Sequence, residues 1–463
     1  MSGPSSQARK ENGVQSTSWV QKGCGALPAL ACLAASGAVE LRAAEFLQRE
    51  QQTPLAAAPR LTGLQHSVLH DDKSTYCGHP RMVAFEYFGK GEILVGHFHA
   101  PSKYKVYDDV RHVSYQSRAV CLLQRSTDYG KTWPKENESV VLDRVRFVKD
   151  PGEILNRTGE REKYDMFKPG AMFFSQNTWE LAPPPRQCFF LRSPDKGKTW
   201  EKVPTVITNP HGGEYGITRH DTPIIRRPDG KTLLAAFSMA GKTEDGKETE
   251  GEPAVFSSTD QGVTWTFLSR PIVDPTGRGL FIYPTLLQLS NGELQCYVVH
   301  LAKKGYYPVE GLLNAMAVVS SSDGGKTWSE PTVISGKGAG AWKNPGKEGH
   351  MYRSPWPIQL QDGRILVIFA RRRQPTGIGG IVSTDGGKTW SEEFIIRDDG
   401  NTWTEGKHEE GDWGDLGYPV ACQFEDGRIF TAYYFNNDEA HPQGGTRFIG
   451  ASTFRLAPAE AKK

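Results

Sequence analysis

The chain has 463 residues, with 55 Lys and Arg against 53 Asp and Glu, a formal charge of +2. That balance gives no basic field for nucleic acid or for an anionic membrane surface, and no segment is long and apolar enough for a spanning helix. Fifty Gly, 30 Pro and 11 Trp suit a turn-rich β protein, and seven Cys without metal-ligand spacing point to neither a zinc signature nor a disulfide framework.

In chain order, residues 1–60 read as an N-terminal extension outside the fold. Within it, Gly25–Val39 (GALPALACLAASGAV) resembles the apolar core of a secretory signal peptide, with Ser36-Gly37-Ala38 as a small-residue cleavage site. Secretion or a periplasmic location is the expectation, and a cytoplasmic protein with a disordered extension is the alternative. Residues 61–457 read as one repeat domain, and 458–463 as a tail.

Two elements recur along that domain. The first is a strand, a tight turn and a strand: HPRMVAFEYFGKGEILVGHF from His79, TPIIRRPDGKTLLAAFS from Thr222, YPTLLQLSNGELQCYVVH from Tyr283, SPWPIQLQDGRILVIFA from Ser354 and YPVACQFEDGRIFTAYYF from Tyr418. Pro-Asp-Gly, Ser-Asn-Gly, Gln-Asp-Gly and Glu-Asp-Gly are hairpin turns. A sixth, less typical copy is read at Met166–Gln176. The second element is Ser-x-Asp-x-Gly-x-Thr-Trp, at Ser126–Trp133, Ser193–Trp200, Ser258–Trp265, Ser321–Trp328 and Ser383–Trp390. Its aspartates, at 128, 195, 260, 323 and 385, are spaced by 67, 65, 63 and 62 residues. Such regularity means one supersecondary unit copied in tandem. Asp bonds nearby backbone N–H groups, Gly tolerates positive φ, and Trp pins the hairpin.

This motif resembles the Asp box of sialidases and related β-propeller proteins. The fold expected is all-β: a six-bladed β-propeller of four-stranded antiparallel blades with five Asp boxes. The sixth blade lacks a box, and its outer strand is expected from His66–His70, which would close the ring. Asp boxes and hairpin turns then share one face. Starts of the innermost strands, ends of the second and starts of the third converge on the other, where a site is expected.

That rim is rich in polar groups. Inner-strand starts offer His79, Arg81, Arg219, His220, Asp221, Tyr283, Arg353, Asp415 and Tyr418; second-strand ends offer His300, Arg371 and Arg373; a third-strand start offers Arg118. Any one of these is ordinarily solvated or paired locally, and Tyr283-Pro284 with Tyr418-Pro419 also reads as a packing repeat. Their accumulation round one axis suits an anionic sugar. His97 and His99 share a strand face, but no third metal ligand is fixed by spacing.

The sialidase resemblance spans roughly residues 65–456. It implies a sialidase-like exo-glycoside hydrolase releasing a terminal acidic sugar from glycans, with Tyr418 as nucleophile, Glu310 as its partner, and Asp108 or Asp109 as acid/base. A phenol attacks more readily than a carboxylate at a carbon already bearing an anionic group. The family's three arginines are not all in register: Cys77-Gly78-His79-Pro80 and Asn314 stand where two belong. No cofactor is implied. A lyase or hydrolase for uronate-containing glycans, and a non-catalytic carbohydrate-binding propeller, are the other readings.

Overall fold

The computed structural model describes residues 55–178, 186–212, 216–219, 223–240, 252–273, 279–302, 315–334, 352–402, 414–438 and 445–458. Six antiparallel sheets follow one another round a central axis. The chain first lays down β1 (Leu61–His70), then the first blade from β2 (Thr75–Gly78), β3 (Phe85–Gly89), β4 (Glu92–Pro101), β5 (Val120–Ser126) and β6 (Ser139–Asp143). The second blade is β7 (Met172–Asn177), β8 (Cys188–Ser193) and β9 (Thr205–Ile207). The third is β10 (Ile217–Arg219), β11 (Ile225–Arg226), β12 (Leu233–Met239), β13 (Glu252–Ser258) and β14 (Thr266–Ser269). The fourth comprises β15 (Gly279–Gln288), β16 (Leu294–Ala302), β17 (Met316–Ser321) and β18 (Thr332–Val333). The fifth comprises β19 (Tyr352–Gln359), β20 (Ile365–Arg371), β21 (Gly377–Ser383) and β22 (Phe394–Arg397). The sixth has β23 (Gly417–Gln423), β24 (Ile429–Phe435) and β25 (Phe448–Leu456), with β1 as its outer strand.

The ring closes as expected. β1 pairs antiparallel with β25, from Leu61↔Leu456 to His70↔Ile449, so the first strand of the domain completes its last blade. Two blades depart from the simple pattern. In the first and third, the inner strand is broken into β2 and β3, and β10 and β11, each half pairing with the second strand. In the second, three strands are seen among the described residues, and β7 is the second strand rather than the inner one. Lys196 N–H reaches Gly170 O ahead of β7 (2.7 Å), just as Tyr129 N–H reaches Gly91 O in the first blade's hairpin turn (3.0 Å). The segment read as an inner strand spends its backbone elsewhere: Met166 N–H donates to Gln261 Oε1 of the third blade, and Pro169 has no N–H to offer.

All five Asp boxes fold alike. The Ser hydroxyl donates to the Asp carboxylate at 2.7–2.9 Å and accepts the Gly N–H, and the Thr N–H and hydroxyl both donate to that carboxylate. Trp133, Trp265 and Trp390 donate Nε1–H to the box glycine carbonyl, whereas Trp328 donates to Ser269 of the preceding blade. Burial opposes ionisation of Asp385, yet bonds from Thr389, Ser383 and Lys388 outweigh it and hold its carboxyl below the ordinary range. The five boxes thus form a rigid outer frame away from the rim. Apolar faces of successive blades pack into cores, with Ile93, Val95, Leu123, Ile365, Val367 and Ile429 inaccessible or nearly so. Cys77, Cys121, Cys188, Cys296 and Cys422 are buried and in no disulfide. No described helix is long and apolar enough to cross a membrane.

Asp385→Ala should lower stability by about 1–2 kcal/mol, at the modest end because the loop is open to solvent. A carboxyl with a lowered folded pKa contributes fully above its unfolded value of about 3.9 and loses that contribution as pH falls through the lowered value. The gap in Tm between wild type and variant should therefore be constant from pH 5 to 8 and narrow in more acid solution.

Candidate functional site

The centre of the rim is built by one device, seen four times among the described residues. The innermost strand of the first, fourth, fifth and sixth blades carries a residue followed by proline: His79-Pro80, Tyr283-Pro284, Ser354-Pro355 and Tyr418-Pro419. Proline cannot donate to the ladder, and the register slips there, between Ile282 and Thr285, Arg353 and Trp356, and Gly417 and Val420. The residue before each proline turns into the left-handed region, with φ of 59°, 58°, 54° and 48°. For Tyr and His such a conformation costs on the order of 1–3 kcal/mol. It brings three of these side chains together: Tyr283 and Tyr418 share a hydroxyl contact of 2.9 Å, and the His79 ring meets the Tyr418 ring edge-on with centroids 4.3 Å apart. Ser354 Oγ is buried with no hydrogen-bond partner.

Arg81, one residue past the first kink, holds the others in place. Its guanidinium donates to Pro355 O (2.7 Å), Tyr283 O (3.1 Å) and Thr285 Oγ1 (2.7 Å), carbonyls and a hydroxyl exposed by the kinks of two other blades. Burial leaves no water to do this.

Beside the kinks lies a second cluster around Asp415, only 1% exposed. Its Oδ1 accepts from Tyr434 (2.7 Å), and its Oδ2 from Tyr76 (2.9 Å) and Arg447 Nε (3.1 Å). Arg372 donates to Tyr434 Oη (2.7 Å) and to Leu416 O (3.0 Å), and its Cζ stands 5.7 Å from the Tyr418 ring centroid. Burial, reinforced by Asp415, pushes the phenols of Tyr76 and Tyr434 well above their ordinary value, so both stay protonated donors. Burial opposes the charge on Arg372 too, but Tyr434, Tyr418 and Asp415 outweigh it and keep the guanidinium charged. His79 Nδ1 lies 2.8 Å from Tyr115 Oη, and Tyr115 stacks on Tyr76 at 4.0 Å.

The other expected residues fall around this centre. Asp108 and Asp109 lie in the turn Tyr107–Asp109. Burial, then Asp415 and Asp108, raise the Tyr107 phenol against the pull of Arg111. Asp109 caps its own turn, accepting from Lys105 N–H (2.9 Å) and Val106 N–H (3.2 Å), while Asp108 is exposed and 3.7 Å from Arg111. Arg118 donates to the carbonyls of Asp108 and Asp109. Arg353 donates to Tyr352 O, and Arg371 pairs with Glu393, which also accepts from Tyr352 (2.9 Å). His300 is buried against Phe281 at the end of β16, and Arg373 is half-buried just past β20. Arg219 ends β10, its side chain outside the described residues, as are His220, Asp221 and Glu310.

Composition of the rim gave no warning of Tyr76 and Tyr115. Tyr76 sits three residues before the first His-Pro pair, the one signal available. Tyr115 comes from the short helix His112–Gln116, with no repeat to mark it. Chemically, the cluster offers a phenol at the axis, a hydroxyl beside it and a buried guanidinium over its ring.

Arg447 is inaccessible, so removing Asp415 leaves a cation buried without its carboxylate. Asp415→Ala should cost about 3–5 kcal/mol, and a variant lacking both charges should lose less than the sum of the two single losses. Urea denaturation of the four proteins of that cycle measures both.

Comparison with curated protein sequences finds no match. Among solved structures, a protein of unknown function from Dyadobacter fermentans is similar with a TM-score of 0.58 and 18% identity, over 85% of this chain and 100% of that one. An alpha-L-arabinanase of Penicillium chrysogenum gives a TM-score of 0.53 and 15% identity, over 85% and 98%. A sialidase of Streptococcus pneumoniae gives 0.50 and 11%, over 88% and 72%. At these identities the likeness is one of fold. The model of the BNR repeat-like domain matches residues 171–431, more than half of the chain, and so this six-bladed propeller belongs to the BNR repeat-like family.

Proposed function

We propose that this propeller is a glycoside hydrolase that removes a terminal sugar from glycans, with Tyr418 as its nucleophile. The observation that carries the reading is the placement of Tyr418: on a strained kink at the axis, hydroxyl to hydroxyl with Tyr283 at 2.9 Å, under the charged Arg372. Tyr418 Oη attacks the anomeric carbon as the glycosidic C–O bond breaks. Its proton passes to Glu310, the partner that the sialidase resemblance implies, and the leaving oxygen takes a proton from Asp108. Water then attacks the glycosyl-tyrosine, with Asp108 as base, to free the sugar. The arabinanase and the sialidase that share the fold are sugar-cleaving proteins, which supports the class of reaction.

An acidic sugar is favoured by charge. Among the described residues at the centre, the two buried guanidiniums of Arg372 and Arg447 stand against one buried carboxylate, Asp415. Most of the other rim arginines are engaged with carbonyls or, for Arg371, with Glu393. An acidic sugar would therefore be held by Arg372 and its neighbours rather than by the three-arginine set of sialidases. Glycans outside the cell suit such an enzyme, in keeping with secretion through the Gly25–Val39 stretch.

One observation favours a second reading. His79, bonded to Tyr115 and edge-on to Tyr418, forms a His–Tyr pair at the axis. That is the pattern of a base for β-elimination from a uronate, in which the C5 proton leaves, the C4–O bond breaks and a C4–C5 double bond forms.

A panel of fluorogenic terminal α-sialosides, uronides and α-L-arabinofuranosides, with unsubstituted polyuronates alongside, distinguishes them. Hydrolysis of one glycoside class, reduced at least about a hundredfold in Tyr418→Phe with the fold unchanged, is the expected result. Full activity in that variant removes Tyr418 from its role, and an unsaturated, ultraviolet-absorbing product from polyuronates replaces hydrolysis with elimination.

A further inference from the structure

His97 and His99 alternate along β4 without a third ligand close in sequence, but the fold brings one, and then another. His70 ends β1, the outer strand of the sixth blade, while Cys77 lies in β2 and His99 in β4 of the first blade. One ligand atom from each of His70, Cys77 and His99 lies within 4.8 Å of the other two. Cys77 Sγ is 3.7 Å from His99 Nδ1 and 3.3 Å from Thr75 Oγ1. Donors bound to one tetrahedral zinc at 2.0–2.3 Å stand about 3.3–3.8 Å apart, so the three need to close only slightly.

The polar groups around the cluster are poorly satisfied without an ion. His70 Nε2 is buried and has no hydrogen-bond partner. Behind it, His97 is inaccessible; its Nδ1 faces Phe98 O at 3.1 Å, and its Nε2 is also buried without a partner. The His97 ring lies 5.1 Å from that of His70. Gln124, next to both histidines, directs its amide nitrogen to His70 Nδ1 (3.0 Å) and Glu138 (2.9 Å). Glu138 Oε1 is itself 3.8 Å from His70 Nδ1, which places a carboxylate beside the cluster.

We propose that His70, Cys77 and His99 bind one zinc ion, or a dication of similar softness, with water in the fourth position. Two imidazoles and a thiolate are zinc's donor set, and they disfavour magnesium and calcium. The ion ties the strand that closes the ring to the first blade across the short link 71–74. It also steadies β2, whose Cys77 N–H donates to Arg447 O (3.2 Å) and which leads directly into the His79 kink. The zinc site is a clasp between blades, separate from the groups around Tyr418.

The test uses the full chain, stripped with chelator and dialysed, then titrated with Co2+ and Zn2+. The expected result is uptake of one Co2+ per chain with the intense visible bands of a tetrahedral site and a thiolate-to-cobalt charge-transfer band, both abolished by stoichiometric Zn2+, and a higher Tm with Zn2+. Cys77→Ser should lose the charge-transfer band, and His99→Gln, at a less buried position, should bind Zn2+ at least about tenfold more weakly while keeping the wild-type circular dichroism. Wild-type protein that takes up no Co2+ saturably, or binds it without the thiolate band, overturns the proposal. So does His99→Gln protein that binds Zn2+ as tightly as wild type.

Discussion

A proline in the innermost strand is the constraint on which the rim depends. Inner strands line the axis, and a strand with every N–H in the ladder would run past the centre as a smooth wall. At Pro80, Pro284, Pro355 and Pro419 the ladder is interrupted because the donor is missing, and the preceding residue takes up positive φ. The kink swings His79, Tyr283 and Tyr418 together and leaves carbonyls without strand partners. Arg81 then answers two of those carbonyls, Pro355 O and Tyr283 O, from a third blade. Strain in one strand is held by bonds from another, which requires the blades to stay in fixed relation. Asp boxes supply that stiffness on the far face, and the β1–β25 pairing supplies it at the seam.

Around the kinks the phenols divide into two kinds. Tyr76 and Tyr434 are tied to Asp415 and remain donors, so their work is to keep a carboxylate and two guanidiniums buried in a fixed array. Tyr418, the proposed nucleophile, is bonded to another phenol and overlain by Arg372. Arg372 belongs to both groups, bonded to Tyr434 and facing Tyr418. It links the buried array to the Tyr418 ring.

The repeat architecture was legible because it is local. Eight residues of an Asp box contain their own turn, cap and packing group, so each copy announces itself, and the ring closure by His66–His70 followed from counting strands. The second blade was misread because its pairing is decided by a distant acceptor, Gln261, which takes the N–H of Met166. At the rim the sequence named Tyr418, Tyr283, His79 and Asp415 from their positions at strand starts, and the recurrence of a residue before proline was visible without its consequence, the positive φ. What the sequence hid was how charges are spent. Arg81, Arg118, Arg353 and Arg371 look equivalent as letters, yet Arg81 holds two kinks, Arg118 and Arg353 bond neighbouring carbonyls, and Arg371 pairs with Glu393. Asp109 caps its own turn, whereas Asp108 beside it is open. Such distinctions arise from contacts between blades and loops remote in sequence. The same holds for His70, which meets Cys77 and His99 of the first blade from the end of the strand that closes the ring.

The most direct test is to trap the intermediate. A fluorinated, activated analogue of the sugar that the protein cleaves, incubated with the full chain and followed by peptide mass spectrometry, reads out which residue becomes glycosylated. The account predicts one label per chain on the peptide carrying Tyr418. A label on a carboxylate, or sustained turnover of the natural sugar with no label formed, would contradict it.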